Sequence, residues 1–184
     1  MTKILGLSGS LREQSYNTAL LNTARSLAGP DMEIDIATLH EIPLYDGDRE
    51  RDDGVPEAVT RLKERIKASD GLLIASPEYN NSMPGVLKNA IDWLSRPPRD
   101  IAEVFGDRPV AVIGASPGGF GTILAQNAWL PVLRTLGTRQ WFGGRLMVSK
   151  AGKVFDDDGS MTDDATRTKL KEFLEGFAEF AKPK

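Results

Sequence analysis

The chain has 184 residues, 40% hydrophobic and 27% charged, enough for one domain with a sizeable core. A formal net charge of −3 without a basic run excludes a general nucleic-acid binder. The absence of cysteine excludes disulfides, thiolate nucleophiles, cysteine-dependent phosphatases and cysteine-ligated metals, and the single histidine, His40, leaves Ser–His and metal–His arrangements almost nothing to draw on.

In chain order, residues 4–7 predict a first strand. Leu20, Leu21, Ala24, Leu27 and Ala28 then form one face of a helix ending near Gly29 and Pro30. Residues 32–39 predict a second strand, and the polar, proline-containing stretch 40–54 an exposed loop. Val59, Leu62 and Ile66 mark the next helix, and "GLLIAS" (71–76) a short buried strand. Leu87, Ala90, Ile91 and Leu94 share one face of a third helix, with Ser82 as candidate cap and Pro84 near its first turn. Trp93 lies off that face, which reads as an exposed anchor for a second subunit or as a side chain packed on its own domain. "PVAVIGAS" (109–116) predicts a fourth strand, and 122–136 a helix that Pro131 should kink or split. A fifth strand falls within 141–148, broken by Gly143 and Gly144, and Leu170, Phe173, Leu174, Phe177 and Phe180 form the inner face of a closing helix. The N-terminus lacks the apolar core of a signal peptide and no stretch is long enough to span a bilayer, so the expected location is cytoplasmic.

Strands alternating with helices imply an α/β fold: a doubly wound, five-stranded parallel sheet of order 2-1-3-4-5, with helices on both faces and one domain over 1–184. In that order ligands sit at the carboxyl ends of the strands, where the winding reverses between strands one and three. The loops after strands one, three and four are "SGSLREQSYN", "SPEYNNSMPG" and "SPGGFGT", the most unusual stretches in the chain.

The first loop suits an anion. Backbone N–H groups at a helix N-terminus, hydroxyls from Ser10 and Ser15, the Asn17 amide and a charge-assisted donor in Arg12 could cradle a phosphate; a capped turn with an incidental arginine reads equally well. There is no Gly-Lys-Ser/Thr and no G-x-G-x-x-G, so a mononucleotide phosphate fits better than a dinucleotide. In the second loop Pro77 and Pro84 fix the backbone so that main-chain groups can meet the polar edge of a flat heterocycle, and Tyr79 offers an aromatic wall or packs on the sheet. Gly118, Gly119 and Gly121 permit close approach of a ligand.

"GSLREQSYN", "PEYNNSMPGVLKNAIDWLSRP" and "GASPGGFGT" together resemble the motifs of the NAD(P)H-dependent FMN reductase family, the flavodoxin-like quinone, chromate and azo-dye reductases, over about residues 3–149. The resemblance implies that Ser10, Arg12, Ser15 and Asn17 hold the FMN phosphate, with Tyr16 beside them. Pro77, Glu78, Tyr79 and Asn80 would line the isoalloxazine, and Ser116, Gly118 and Gly119 the other side of the cofactor. It implies NADPH or NADH as donor, a quinone or similar small acceptor, and a homodimer or homotetramer. No catalytic side chain and no metal are needed, because the flavin N5 carries the hydride. An arginine expected near the start of the 122–136 helix is absent, so no residue is assigned to the nicotinamide cofactor; Arg49 and Arg51 are candidates for a 2′-phosphate. The competing readings are a non-catalytic flavodoxin-type FMN electron carrier, whose surface should be far more acidic, and a flavin-binding regulator.

Overall fold

In the computed structural model, which describes residues 1–183, neighbouring residues of the long strands bury in opposite directions. The long strands are β1 (Thr2–Ser8), β2 (Met32–Ala37), β3 (Gly71–Ala75) and β4 (Pro109–Ala115), and β2 at the edge leaves Glu33 and Asp35 exposed between its apolar residues. Ile4, Ile34, Leu73 and Ile113 enter one core, and Leu5, Leu7, Leu72, Ile74 and Val110 enter the other. Apolar residues on both faces are what a parallel sheet covered on both sides requires. All pairings are parallel and the strand order is β2-β1-β3-β4-β5, as expected from the sequence.

One face is covered by α1 (Tyr16–Leu27) and α7 (Asp164–Ala181), through Leu20, Leu21, Leu170, Phe173 and Phe177. The other is covered by α3 (Glu57–Lys67), α4 (Gly85–Leu94) and α6 (Ile123–Thr135), through Leu62, Ile66, Leu87, Ile91, Trp129 and Leu133. A short α5 (Ile101–Val104) leads into β4. With every strand parallel, Ser8, Ala75 and Ala115 end at the same edge, and so do the three unusual loops. No described helix is long and apolar enough to cross a membrane.

Four local expectations are corrected. The fifth strand is two separate pieces, β5 (Arg139–Gln140) against Pro109 and Val110, and β6 (Met147–Val148) against Gly114 and Ala115. Between them the chain leaves the sheet after Trp141, whose N–H still bonds to Val110 and whose ring packs edge-on against Phe173, with ring centroids 4.7 Å apart. Pro131 does not split α6, which runs on through it; it lies on the exposed side, where water can satisfy the carbonyl its missing N–H leaves free. Ser82 is not a cap: Pro84 is the N-cap of α4, without a side-chain cap bond, and Ser82 pairs back to Tyr79 instead. Phe180 keeps to the inner face as expected, packed partly buried against the core beneath the Arg139 guanidinium at 4.6 Å.

The largest correction concerns 40–54, which is not a free loop. It contains α2 (Gly47–Asp53), capped by Asp46, and lies as a strap across α4. The Pro43 carbonyl accepts the Trp93 indole N–H at 2.9 Å and the Asn89 amide at 2.8 Å, while Asn89 Oδ1 accepts the Tyr45 N–H at 2.8 Å. Glu50 accepts from Arg96 at 2.8 Å and from the Tyr45 hydroxyl at 2.9 Å. The Arg96 hydrogen bond, above all, holds the Glu50 carboxyl below its ordinary range. Trp93 is therefore only 1% exposed and packs on its own domain, not outward as an anchor.

Candidate functional site

The first loop leaves β1 through Ser8, whose hydroxyl meets that of Thr18 at 2.8 Å. Gly9 follows with its N–H donated to the Ala75 carbonyl at 2.9 Å. A Cβ on Gly9 would come within 2.7 Å of Leu87 and 2.9 Å of Pro77, so only glycine lets the first and second loops approach this closely. Ser10 is 3% exposed and its hydroxyl accepts the Arg12 N–H at 3.2 Å. Ser15 is the N-cap of α1, accepting the amides of Asn17 and Thr18 at 3.2 and 3.3 Å. No acidic residue occupies the first turn of α1, which leaves its positive end uncompensated.

Asn17 does more structural work than its sequence context suggests. Its side-chain amide donates to the Ala115 carbonyl at 2.9 Å and accepts the Ala115 N–H at 3.0 Å, and the residue is 4% exposed. It thus clamps the start of α1 to the end of β4, and offers a ligand only the second hydrogen of its Nδ2.

In the second loop, residues alternate as in a strand. Ser76 is fully buried; its hydroxyl donates to the Pro77 carbonyl at 3.0 Å and accepts the Trp129 indole N–H at 2.9 Å. Glu78 Oε2 accepts the N–H groups of Leu124 and Ala125 at 2.8 and 3.0 Å. Asn80 and Asn81 adopt left-handed backbones, φ 50° and 61°, between a reciprocal pair of bonds that closes a tight hairpin from Tyr79 to Ser82. Two consecutive positive φ values are the signature of a type I′ turn, and asparagine is among the few residues that accept them. Tyr79 at its base is 46% exposed.

The third loop is held at its ends and open in its middle. The Ser116 hydroxyl donates to the Gly121 carbonyl at 2.6 Å, the Ser116 N–H donates to Val148, and the Gly118 carbonyl accepts the Lys150 N–H at 2.9 Å. A Cβ on Gly119 would meet nothing within 4 Å, and one on Gly118 would meet only the Ser116 hydroxyl at 3.7 Å. Internal packing demands glycine at neither position, so what their small size leaves clear is surface.

The three loops enclose a crevice of about 50 Å³ lined by Ser10, Arg12, Ser15, Tyr16, Asn17, Pro77, Glu78, Tyr79 and Ser116, together with Ala115 and Pro117. Nine of the residues singled out in the sequence are therefore neighbours; Asn80, Gly118 and Gly119 lie outside this lining. Arg12 is exposed, and among the described residues nothing in the chain engages its guanidinium. The donor set suits an anion: two buried hydroxyls, a free guanidinium and a helix N-terminus, with the one carboxylate, Glu78, directed to backbone amides. Such an arrangement fits a phosphate dianion carrying a flat ring toward Pro77 and Tyr79. His40 touches this region only through its Nε2, 3.1 Å from the Leu11 carbonyl. Arg51 is tied to Asp48 and Asp52, and Arg49 faces Asp53 at 4.0 Å, so neither is an unpaired cation.

Sequence reasoning missed Ala115, whose backbone is the partner of Asn17, because a main-chain contact leaves no mark on residue identity. It also missed that Glu78 faces α6, although an acid two residues beyond the buried Ser76 falls on the same side of an extended chain.

A family model described as NADPH-dependent FMN reductase matches residues 2–153. An NAD(P)H-dependent FMN reductase of Pseudomonas aeruginosa is 46% identical over 173 residues, covering 94% of this chain and 91% of that protein. A 2-hydroxy-1,4-benzoquinone reductase of a Burkholderia species is 37% identical over 180 residues, covering 98% and 96%. Among solved structures, the flavoenzyme NAD(P)H:(acceptor) oxidoreductase of Paracoccus denitrificans superposes with a TM-score of 0.87 at 35% identity, over 98% of this chain and 97% of that one.

Proposed function

Since the chain belongs to the NADPH-dependent FMN reductase family, we propose that it acts as a single flavin-binding domain, passing two electrons from NADPH or NADH through FMN to a quinone or similar small acceptor. The observation that carries this reading is the crevice, where an unpaired Arg12 guanidinium and the buried hydroxyls of Ser10 and Ser15 meet the loop of Pro77 and Tyr79. FMN held there would supply the redox chemistry, two-electron exchange between a nicotinamide and the acceptor. The chain's own residues bind and orient. Arg12, Ser10, Ser15 and the remaining Asn17 hydrogen hold the phosphate. Tyr16 closes the crevice beside them, its ring stacked 5.8 Å from that of Phe155. Pro77 and the hairpin of Tyr79 and Asn80 present a fixed backbone edge to the ring, while Ser116, Gly118 and Gly119 leave the opposite approach open.

One open approach serves donor and acceptor in turn, which predicts ping-pong kinetics. The test is the visible spectrum of protein with FMN before and after anaerobic NADPH or NADH. Rapid bleaching, reversed by a quinone, is expected, with parallel double-reciprocal lines at several quinone concentrations. Persistence of the oxidised spectrum would favour the electron-carrier reading instead.

The same reading includes a homodimer and a cytoplasmic location, where reduced nicotinamide cofactors are supplied. Burial of Trp93 removes that side chain as the anchor of the contact. What supports association is an apolar groove of about 390 Å³ beside α6, flanked by the exposed Ile123, Leu124, Leu130 and Phe142.

A further inference from the structure

The start of α6 lacks a cap of its own. Thr122 precedes it, yet its side chain makes no cap bond; it accepts the Gln126 amide at 3.1 Å and is completely buried against Gly114. The amides of Leu124 and Ala125 are taken up by Glu78, 46 and 47 residues earlier in the chain. Two residues before Glu78, Ser76 accepts the indole N–H of Trp129. Two successive same-side residues of the second loop thus grip α6, one at its positive end and one a turn further along. Pro77, between them, packs toward Gly9 and the phosphate loop.

We propose that Glu78 is a positioning residue: its carboxylate caps α6 from the flavin loop and so fixes the separation of the crevice's two walls, rather than contacting the ring itself. The proposal rests on the flavin reading given above. A carboxylate accepting two amides at a helix N-terminus combines charge-assisted hydrogen bonds with a favourable dipole interaction. Without it, the hairpin at Tyr79 and Asn80 loses its hydrogen bonds to α6, and the first turn of α6 has two unsatisfied donors. Both movements change the height at which the second loop meets a bound ring.

The experiment compares Glu78→Ala, Glu78→Gln and, as a control, Asp163→Ala. Asp163 caps α7 through the Thr166 N–H at 2.7 Å and lines no part of the crevice. Apoprotein of each is titrated with FMN by flavin fluorescence, and the visible spectrum is recorded at saturation. Glu78→Ala should bind FMN about tenfold more weakly, the factor equivalent to losing one strong cap, and its bound-flavin absorption should shift. Glu78→Gln, whose carbonyl still accepts both amides, should stay within about twofold of the wild type, and Asp163→Ala should match it. Wild-type affinity and spectrum in Glu78→Ala overturn the proposal, as do equal losses in Glu78→Ala and Asp163→Ala or a failure of glutamine to rescue. If the wild type itself does not bind FMN, the flavin reading falls and this proposal with it; normal wild-type binding beside an unaffected Glu78→Ala removes the proposal alone.

Discussion

Replacing Arg12 by alanine takes away the one cation that lines the crevice. A hydrogen bond to a charged group contributes about 1.5–3 kcal/mol, and the exposure of Arg12 places it in the lower part of that range. A loss of roughly 1.5–2 kcal/mol corresponds to FMN affinity weakened about 10- to 30-fold. The unfolding free energy of the apoprotein should move by no more than about 0.5 kcal/mol, because the guanidinium is free of intramolecular bonds. Fluorescence titration at two salt concentrations measures both the affinity and its electrostatic part. The wild type should weaken at higher salt more than the variant, since the screened charge is the one removed. Identical affinities at low salt would show that the phosphate is held elsewhere. An apoprotein that melts much earlier would show Arg12 to be part of the fold.

Asn17→Ala should act in the opposite way, on the fold before the ligand. It orphans the buried N–H and carbonyl of Ala115, at about 1–3 kcal/mol each less any repair by water, so a loss of about 2–4 kcal/mol is expected in denaturant unfolding of the apoprotein. Acid should destabilise the protein through Glu50, Asp100 and Asp163, whose carboxyls are held low chiefly by Arg96, Lys63 and Thr166 respectively. Because a folded-state pKa below the unfolded one stabilises above the unfolded value, that contribution is complete at neutral pH and disappears as pH falls through and below the ordinary carboxylate range. Glu50→Gln should flatten part of this acid limb in pH-dependent melting, and an unchanged limb would remove Glu50 from it. Light scattering at micromolar concentration should return at least twice the monomer mass; a monomer would end the dimer reading.

The strands and the large helices were legible because burial on both faces leaves continuous β-branched and leucine runs, and burial on one face leaves a stripe three or four residues apart. The convergence of the three loops was legible for the same reason: parallel order puts every carboxyl end at one edge. What escaped depends on partners distant in the chain. The strap over α4 has no apolar periodicity; it is held by Asn89 and Trp93 reaching for the Pro43 carbonyl, and a backbone acceptor has no residue signature. Trp93 looked outward on the helix wheel because nothing in α4 itself reveals that 43–50 will cover it. The family resemblance assigned Glu78 to the ring together with Pro77, Tyr79 and Asn80; it lines the crevice with Pro77 and Tyr79, but its bonds to the α6 amides depend on a partner 46 residues away.

The divided fifth strand bears on how the fold tolerates change. β5 and β6 are registered on β4 independently, at Pro109–Val110 and at Gly114–Ala115, with Trp141 and Leu146 bonded to β4 beside them, so residues 142–145 set the alignment of neither. Length can therefore vary in that excursion without sliding a ladder, provided Trp141 keeps its place between Phe173 and Gly176. The far end of the excursion is tied to the third loop through Ser116 and Val148, which keeps the crevice out of the variation. Insertions and deletions there would reshape the groove beside α6, leaving cofactor loops and sheet order alone. The split edge thus makes the outer border of the sheet a region that can change in length while the crevice keeps its form.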